Sequence, residues 1–418
     1  MFKKSIYIIL IQIIGIVLGF VSVFLVAGDM EPEVYAIVGI YQIVCNLSLV
    51  FTGWGIESTL TREALFWKKQ GNKEKIKEYT TQALVSKLAS GIVVIPVMCI
   101  YLFLMNVVKY NGQYTQLFMC LIIGAVANIL IDSMRNIVRA EGGYVFVQLM
   151  STLNTTILKF FGIILYFNFG ADCYLYFYIL SSLPILFCFI IKCRKNISYK
   201  YVQMKPMLRK IWEAKYLWLK ADLEYIRSNA DSLLVSLLFP ISIMGSYSIY
   251  KSLDQMMKNF IEGFFDVLSQ HTVQYKGDAN ALVQQEKRIK FARNISMLGI
   301  VIGLVIYCPR MSWWIRVANL SNYEGMEMLV MCVAIGGLLY LLGKYEINAI
   351  AFLAETKMNF ILAIINAVIA IGSYLIIVVS PTINAVVVQR ILNYLMASLI
   401  AILFFRKNKE TIYCKINK

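Results

Sequence analysis

The sequence has few charged residues, and this scarcity excludes an ordinary soluble enzyme. Only 15% of its 418 residues are Asp, Glu, Lys or Arg, whereas soluble domains carry roughly 25%. It also has a single histidine, and its nine cysteines show no metal-ligand spacing. We therefore expect neither a metal site nor a structural disulfide framework.

Several catalytic motifs are also missing. The chain contains no GxxxxGK[ST] phosphate loop, no GxSxG nucleophile elbow and no HExxH zinc motif. An ATPase needs the first of these to hold its nucleotide. We therefore expect a protein that is not an enzyme and holds no cofactor, namely a transporter driven by an ion gradient or by the gradient of its substrate.

Long apolar runs dominate the chain, which is 59% hydrophobic. A helix that crosses a bilayer needs about 20 such residues, and lipid offers no hydrogen-bond partners, so each run must satisfy its own backbone as a helix. The fold class predicted is an all-α integral membrane protein. Twelve transmembrane helices are predicted near 5–27, 35–56, 80–104, 116–138, 145–167, 174–191, 219–239, 243–267, 292–307, 326–343, 359–379 and 384–405.

Basic residues collect in alternate connections between these runs. Of the 40 Lys and Arg, only Lys109, Arg310 and Arg316 fall in connections on the opposite side. Because Lys and Arg accumulate on the cytoplasmic side of membranes, both termini are predicted to be cytoplasmic. The net charge of +16 then requires no nucleic-acid partner.

The runs divide into two halves of six. We predict an N-terminal six-helix bundle at 1–191, a basic amphipathic cytoplasmic linker at 192–220, a C-terminal six-helix bundle at 221–405 and a basic cytoplasmic tail at 406–418. Six helices per half give both halves the same orientation, related by a pseudo-two-fold axis along the membrane normal. A weak repeat agrees with this arrangement, since residues 35–37 (YAI) open helix 2 and residues 247–249 (YSI) open helix 8.

Residues 225–236 (YIRSNADSLLVS) and 245–250 (GSYSIY) resemble the helix 7 to 8 hairpin of polysaccharide and O-antigen flippases of the Wzx type. Residues 55–58 (GIES) and 62–64 (REA) look like the end of that family's second helix. The family belongs to the multidrug/oligosaccharidyl-lipid/polysaccharide (MOP) exporter superfamily, so the resemblance implies a MATE/MOP-like fold and alternating access.

The resemblance also implies a substrate and a location. The substrate would be an oligosaccharide on undecaprenyl pyrophosphate, an O-antigen or capsule repeat unit. It would move from the cytoplasmic to the periplasmic leaflet of a bacterial inner membrane during lipopolysaccharide or other surface polysaccharide biosynthesis. Partners would be this lipid-linked oligosaccharide, membrane lipids and other membrane proteins of polysaccharide assembly.

The candidate site residues are chosen from the charged residues within or directly beside the predicted spans, because a charge costs at least about 2.5 kcal/mol near the bilayer centre. The basic candidates for substrate binding are Lys87, Lys159, Arg227, Lys251, Lys258 and Arg390. The acidic candidates for charge pairing or ion coupling are Glu57, Asp132, Asp231 and Asp254. The surplus of cations favours an anionic substrate such as a pyrophosphate in a central cavity.

Spacing predicts some of the partners. Asp231 and Lys251 lie at equal distances from the turn near Ile241 and are predicted to pair, as are Arg227 and Asp254. Such pairs either serve the substrate or only allow the helices to insert.

The other cations differ in position. Lys87 and Arg390 lie near helix ends, where long side chains can snorkel to the interface. Lys159 and Lys258 have no evident partner at their depth, which favours them as functional cations. A carboxylate released from its basic partner, Asp231 or Asp254, would then bind a coupling H⁺ or Na⁺.

Two alternatives stay open. One is an ion-coupled multidrug or organic-cation exporter of the same superfamily, although a cavity for cations should carry net negative charge. The other is an integral-membrane glycan polymerase or transferase, which generally needs a larger outward loop than the longest one predicted here, 308–325.

Overall fold

A computed structural model describes residues 2–52, 54–57, 59, 60, 67, 70–141, 143–270, 272, 275 and 278–414, and within these ranges it is helical, without strands. The first helices are α1 (Phe2–Ala27), α2 (Pro32–Phe51), α3 (Lys73–Tyr110), α4 (Thr115–Ala140), α5 (Tyr144–Thr152), α6 (Leu158–Phe169), α7 (Ala171–Leu180) and α8 (Ser182–Cys193). The remaining helices are α9 (Met204–Glu213), α10 (Lys215–Leu238), α11 (Ile241–Gln270), α12 (Ala279–Tyr307), α13 (Met311–Val317), α14 (Met326–Leu342), α15 (Lys344–Leu353), α16 (Thr356–Val379) and α17 (Ile383–Cys414).

Local sequence explains where several helices begin and end. The side chain of Asn72 accepts a hydrogen bond from the Lys75 amide at 3.1 Å and so caps the start of α3. Asp278 caps α12 in the same way, through the Ala281 amide at 3.0 Å. The residue after α3, Asn111, has a φ of 50°. This left-handed conformation, which Asn tolerates better than most residues, ends the helix.

Eight helical segments among the described residues are long and apolar enough to cross a membrane, and a ninth is formed if α14 and α15, which bend by 50° at Gly343, count as one span. Three predicted spans fall outside this group: α1, for which only the shorter apolar segment Ile13–Ala27 qualifies, and α10 and α11. The last two contain several Asp, Lys, Arg and Glu residues, which lower their apolar character. The number twelve therefore stays a prediction.

The outer surface of α3 shows what surrounds these helices. Val93, Val97, Ile100 and Leu104 recur at helical spacing and are each at least 51% exposed. A continuous apolar stripe of this size is unstable in water but is suited to acyl chains. The protein is accordingly a multi-pass membrane protein.

The chain separates into two compact units. Unit 1 comprises Met1–Ser22 and Ile40–Asp222, and unit 2 comprises Val23–Gly39 and Leu223–Lys418. In unit 1, α4 packs against α3 and α8. In unit 2, α17 packs against α14 and α16, and α14 also packs against α11.

Unit 2 includes a segment that is distant in sequence, Val23–Gly39. The Tyr323 hydroxyl donates to the Met30 carbonyl oxygen at 2.9 Å, and the rings of Tyr35 and Tyr323 lie edge to face, 6.3 Å apart. The sequence pattern did not predict this placement, because the same apolar run of α1 continues through both units.

Candidate functional site

Five ionisable side chains of unit 2 form one buried group, here called the unit 2 charge cluster: Asp231 on α10, Lys251, Asp254 and Lys258 on α11, and Arg390 on α17. Four of them are at most 8% exposed, and Lys258 is half-buried. Each is among the residues predicted from intramembrane charge.

Asp231 is the carboxylate at one end of the cluster. Its Oδ2 lies 2.8 Å from Nε of Arg390, and its Oδ1 lies 3.3 Å from Nζ of Lys251. The hydroxyl of Tyr247 also donates to it. The predicted pairing of Asp231 with Lys251 is confirmed, because both stand at one depth on either side of the α10–α11 turn.

Asp254 is the carboxylate at the other end. Its Oδ2 lies 3.0 Å from Nζ of Lys258 and 3.6 Å from Nη2 of Arg390, and its Oδ1 accepts a hydrogen bond from the Tyr394 hydroxyl at 2.6 Å. The prediction that Lys258 has no partner is therefore wrong, because residues four apart on a helix share a face. The predicted Arg227–Asp254 pair is also wrong, since other cations contact this carboxylate.

Backbone carbonyl groups of α10 complete the cluster. The Ser228 carbonyl oxygen accepts from Lys251 Nζ at 2.8 Å and from Arg390 Nη1 at 3.1 Å. The Arg227 carbonyl oxygen accepts from the Asn393 amide at 2.7 Å and the Tyr374 hydroxyl at 2.9 Å. The Arg227 side chain is half-buried, and no described acid forms an ion pair with it.

The cluster contains three basic and two acidic side chains, so its formal charge is positive. The Arg390 guanidinium also lies 6.0 Å from the Tyr250 ring centroid and 5.8 Å from that of Tyr394, where the ring faces stabilise it. Such a group can bind an anion through charge-assisted hydrogen bonds. The prediction that Arg390 snorkels to the interface is wrong, because its side chain is 1% exposed and contacts both carboxylates.

A second buried group of charges lies in unit 1. Lys87 Nζ lies 3.0 Å from Asp132 Oδ2 and 3.4 Å from Glu57 Oε2, and Arg135 pairs with Asp132 on the same helix. Two cations and two carboxylates make this group neutral. Lys87 is 1% exposed, so the prediction that it snorkels is wrong.

Arg135 and Tyr247 are not among the predicted site residues. Arg135 lies within the predicted span 116–138, and its spacing of three residues from Asp132 was a usable signal. Tyr247 gave no comparable signal. Its position on α11 is equally compatible with contacts to lipid or to the protein core.

Lys159, like Arg227, contrasts with the paired cations of the spans. Its Nζ lies 3.8 Å from the Tyr178 ring centroid and 6.0 Å from that of Tyr41, and no described carboxylate forms an ion pair with it. The prediction that Lys159 has no acidic partner therefore holds for the part of the chain that the structure describes. Over the same residues, no group of His, Cys, Asp and Glu is arranged to hold a metal ion.

The described helices build a MATE-like fold, the fold of transporters of the MOP superfamily. The inward-facing conformation of a multidrug resistance MATE family transporter matches with a TM-score of 0.69 and 15% identity over 99% of both chains. An outward-facing conformation of such a transporter matches with a TM-score of 0.62 and 14% identity, over 98% of this chain and 96% of that chain.

A third structure is a MOP superfamily transporter from Pyrococcus furiosus, described as having a binding pocket of reverse polarity that suggests a different function. It matches with a TM-score of 0.55 and 14% identity, over 98% of this chain and 96% of that chain. No family model and no curated protein matches the sequence. The expected MATE/MOP-like fold is thus confirmed.

Proposed function

We propose that the protein is a flippase for undecaprenyl-pyrophosphate-linked oligosaccharide, an O-antigen or capsule repeat unit. It moves this substrate from the cytoplasmic to the periplasmic leaflet of a bacterial inner membrane, with both of its termini in the cytoplasm. The observation that carries the proposal is the unit 2 charge cluster, in which Lys251, Lys258 and Arg390 outnumber two carboxylates.

The chemistry of the substrate explains why the surplus is useful. A pyrophosphate diester carries about two negative charges, and an unpaired charge in hydrocarbon has a prohibitive solvation penalty. Ammonium and guanidinium groups replace the lost water through short, charge-assisted hydrogen bonds. Arg390 suits this role particularly well, since its planar guanidinium can contact two oxygens at once.

Alternating access is the mechanism that the fold supports. Matching structures of MATE family transporters have been described in inward-facing and outward-facing conformations. A chain with this fold can expose one substrate site to each leaflet in turn without carrying the headgroup through lipid. Neighbouring lipids and other membrane proteins of polysaccharide assembly would deliver and receive the substrate.

The carboxylates of the cluster supply a means of coupling. When a phosphate competes for Arg390 or Lys258, Asp231 or Asp254 loses part of its counter-charge and gains affinity for H⁺ or Na⁺. Export would then follow an ion gradient. Export that persists at the same rate after both the proton and the sodium gradient are collapsed would contradict this coupling.

A multidrug or organic-cation exporter is the second candidate, because two of the matching structures are of multidrug resistance transporters. The sign of the charge argues against it, since surplus cations repel a cationic drug. The Pyrococcus furiosus transporter, with its binding pocket of reverse polarity, is an example of a superfamily member for which polarity has been connected with a different function.

The test is complementation of a flippase-null strain that accumulates inward-facing lipid-linked repeat units. The intact chain should restore surface glycan, whereas Lys258→Ala should lose it at normal membrane abundance. The matched control is Lys357→Ala, at an exposed lysine at the start of α16. Failure of the intact chain to restore glycan, together with resistance to toxic cations in a pump-deficient strain, would favour the exporter.

A further inference from the structure

A second polar group lies within unit 1 and shares no residue with either cluster of charges. It is defined by Lys159 on α6, Tyr41 on α2, Tyr178 on α7, Asn128 on α4 and Asn154 in the turn before α6, and is here called the lysine–tyrosine site. Lys159 is half-buried, whereas both tyrosines are less than 8% exposed. The site therefore combines two buried tyrosine rings with a partly accessible lysine.

Hydrogen bonds between uncharged groups hold Tyr41 and the two asparagines in place. Asn154 Nδ2 donates to Asn128 Oδ1 at 3.1 Å, and Asn128 Nδ2 donates to the Tyr41 hydroxyl at 2.9 Å. The Tyr41 hydroxyl in turn donates to the Ile179 carbonyl oxygen at 3.2 Å. This chain of hydrogen bonds connects four separate helical segments and includes no carboxylate.

A π-helical turn, Leu153–Ile157, gives Lys159 its direction. The Leu158 amide donates to the Leu153 carbonyl oxygen, five residues earlier. Residues five apart point in different directions on an α-helix, but a π turn brings them near one face. Asn154 and Lys159 are five apart, and both reach the environment of Tyr41. Turns of this type are frequent at functional sites.

The electrostatics of the site are unbalanced. Contacts with ring faces stabilise an ammonium group by about 0.5–2 kcal/mol, which is small beside the penalty of several kcal/mol for removing an ion from water. No described acid pairs with Lys159. Of the other candidate cations, Lys87, Lys251, Lys258 and Arg390 have carboxylate partners, whereas Arg227 shares the lack of a described acid. The amide and hydroxyl groups around Lys159 add no negative charge that would repel an anion.

We propose that the lysine–tyrosine site binds an oxyanion, a carboxylate or phosphate group of the transported saccharide, and that this site is separate from the unit 2 charge cluster. The assignment to a transported saccharide rests on the proposed function. An acidic sugar of the repeat unit and the pyrophosphate of its lipid carrier offer the same chemistry, so binding probes must separate these two sources.

The test measures binding without transport. The full chain is placed in phosphatidylcholine nanodiscs, and the Kd for sodium glucuronate and for inorganic pyrophosphate is measured by isothermal titration calorimetry. Lys159→Gln should weaken the binding of at least one probe by tenfold or more, whereas Lys159→Arg, which keeps the charge, should stay within threefold. Weakened glucuronate binding identifies an acidic sugar as the source, and weakened pyrophosphate binding identifies the carrier.

Two further variants serve as a control and as an independent check. Lys357→Gln removes an exposed lysine and should leave both Kd values unchanged. Tyr178→Leu removes the ring that positions Lys159 without altering the net charge, and should weaken the same probe by threefold or more. Unchanged Kd values in Lys159→Gln, or an equal loss in Lys357→Gln, would overturn the proposal. Because binding is measured alone, intact binding in a chain that fails to restore surface glycan would refute the flippase function and leave the oxyanion site standing.

Discussion

The guanidinium Nε of Arg390, on the last helix, lies 2.8 Å from Oδ2 of Asp231 on α10. Asp231 is fully buried and Arg390 is 1% exposed. A buried ion pair usually adds little net stability, because desolvation offsets much of the attraction, but removing one partner is strongly destabilising. The contact therefore fixes the relation of α17 to α10 in unit 2.

Asp231→Asn should lower the free energy of unfolding by about 3–5 kcal/mol, because Arg390 and Lys251 would lose a counter-charge inside the protein. The measurement is chemical denaturation in detergent. Arg209→Gln is the control. It breaks an exposed pair with Glu213, and such pairs contribute less than about 1 kcal/mol. Equal losses in both variants would contradict the structural role of Asp231.

Arg390→Lys should reduce glycan export by about tenfold at normal abundance. The guanidinium group of Arg390 contacts Asp231 and Asp254 at once through different nitrogen atoms. The ammonium group of a lysine is a single point of charge and cannot make both contacts in the same way. Export is measured in the complemented flippase-null strain. Arg316→Lys, at an exposed position on α13, should leave export unchanged. Full export by Arg390→Lys would mean that only the charge at 390 matters.

Gly336→Ala should impair export or stability through Tyr394. A Cβ at this position would lie 2.8 Å from Cε2 of the Tyr394 ring, whose hydroxyl donates to Asp254. A matched substitution is Gly299→Ala on α12, where a Cβ meets nothing within 4 Å. Since Ala favours a helix over Gly by about 1 kcal/mol, Gly299→Ala should be neutral or stabilising. The two substitutions should shift the midpoint temperature of thermal unfolding in opposite directions, downward for Gly336→Ala and not downward for Gly299→Ala. Equal shifts in both variants would argue against the contact with Tyr394.

Trp212 should lie at the membrane interface. On α9, Met207 is buried in unit 1, while Met204, Leu208 and Trp212 form an apolar stripe in which each residue is at least 56% exposed. Lys205 and Arg209 follow on the neighbouring face, which is the pattern of an interfacial helix. Brominated lipids should quench the tryptophan fluorescence of the native chain more strongly than that of Trp212→Phe. Trp67, only 2% exposed, supplies the control, because Trp67→Phe should not reduce the quenching.

Lys210 should titrate below the ordinary lysine pKa of 10.5. Burial lowers its pKa, although Glu78, whose Oε1 accepts from Lys210 Nζ at 2.6 Å, acts in the opposite direction. Between the lowered pKa and 10.5 the unfolded chain binds more protons at this residue, so its contribution to the free energy of unfolding rises with pH. Nuclear magnetic resonance of ¹³C-methylated lysines checks the value. Glu78→Gln should lower the pKa further, and a rise would contradict the assignment.

Part of the fold and site was predictable because the relevant physics is local. Apolar runs of sufficient length must be helical in lipid, and most of the predicted spans correspond to helices of suitable length and composition. The pairing of Asp231 with Lys251 followed from equal distances along a single hairpin. The pairing of Lys258 with Asp254 was equally local and was overlooked.

The sequence by itself determined that the chain is helical, that it is apolar enough for a membrane, and that its spans contain both basic and acidic residues. Only the tertiary structure decided that Arg390 reaches both Asp231 and Asp254, that Val23–Gly39 joins unit 2, and that a π turn directs Lys159 toward Tyr178. The reason is that lipid and protein core are both apolar. A run of apolar residues therefore fixes a helix without fixing which of its faces meets another helix.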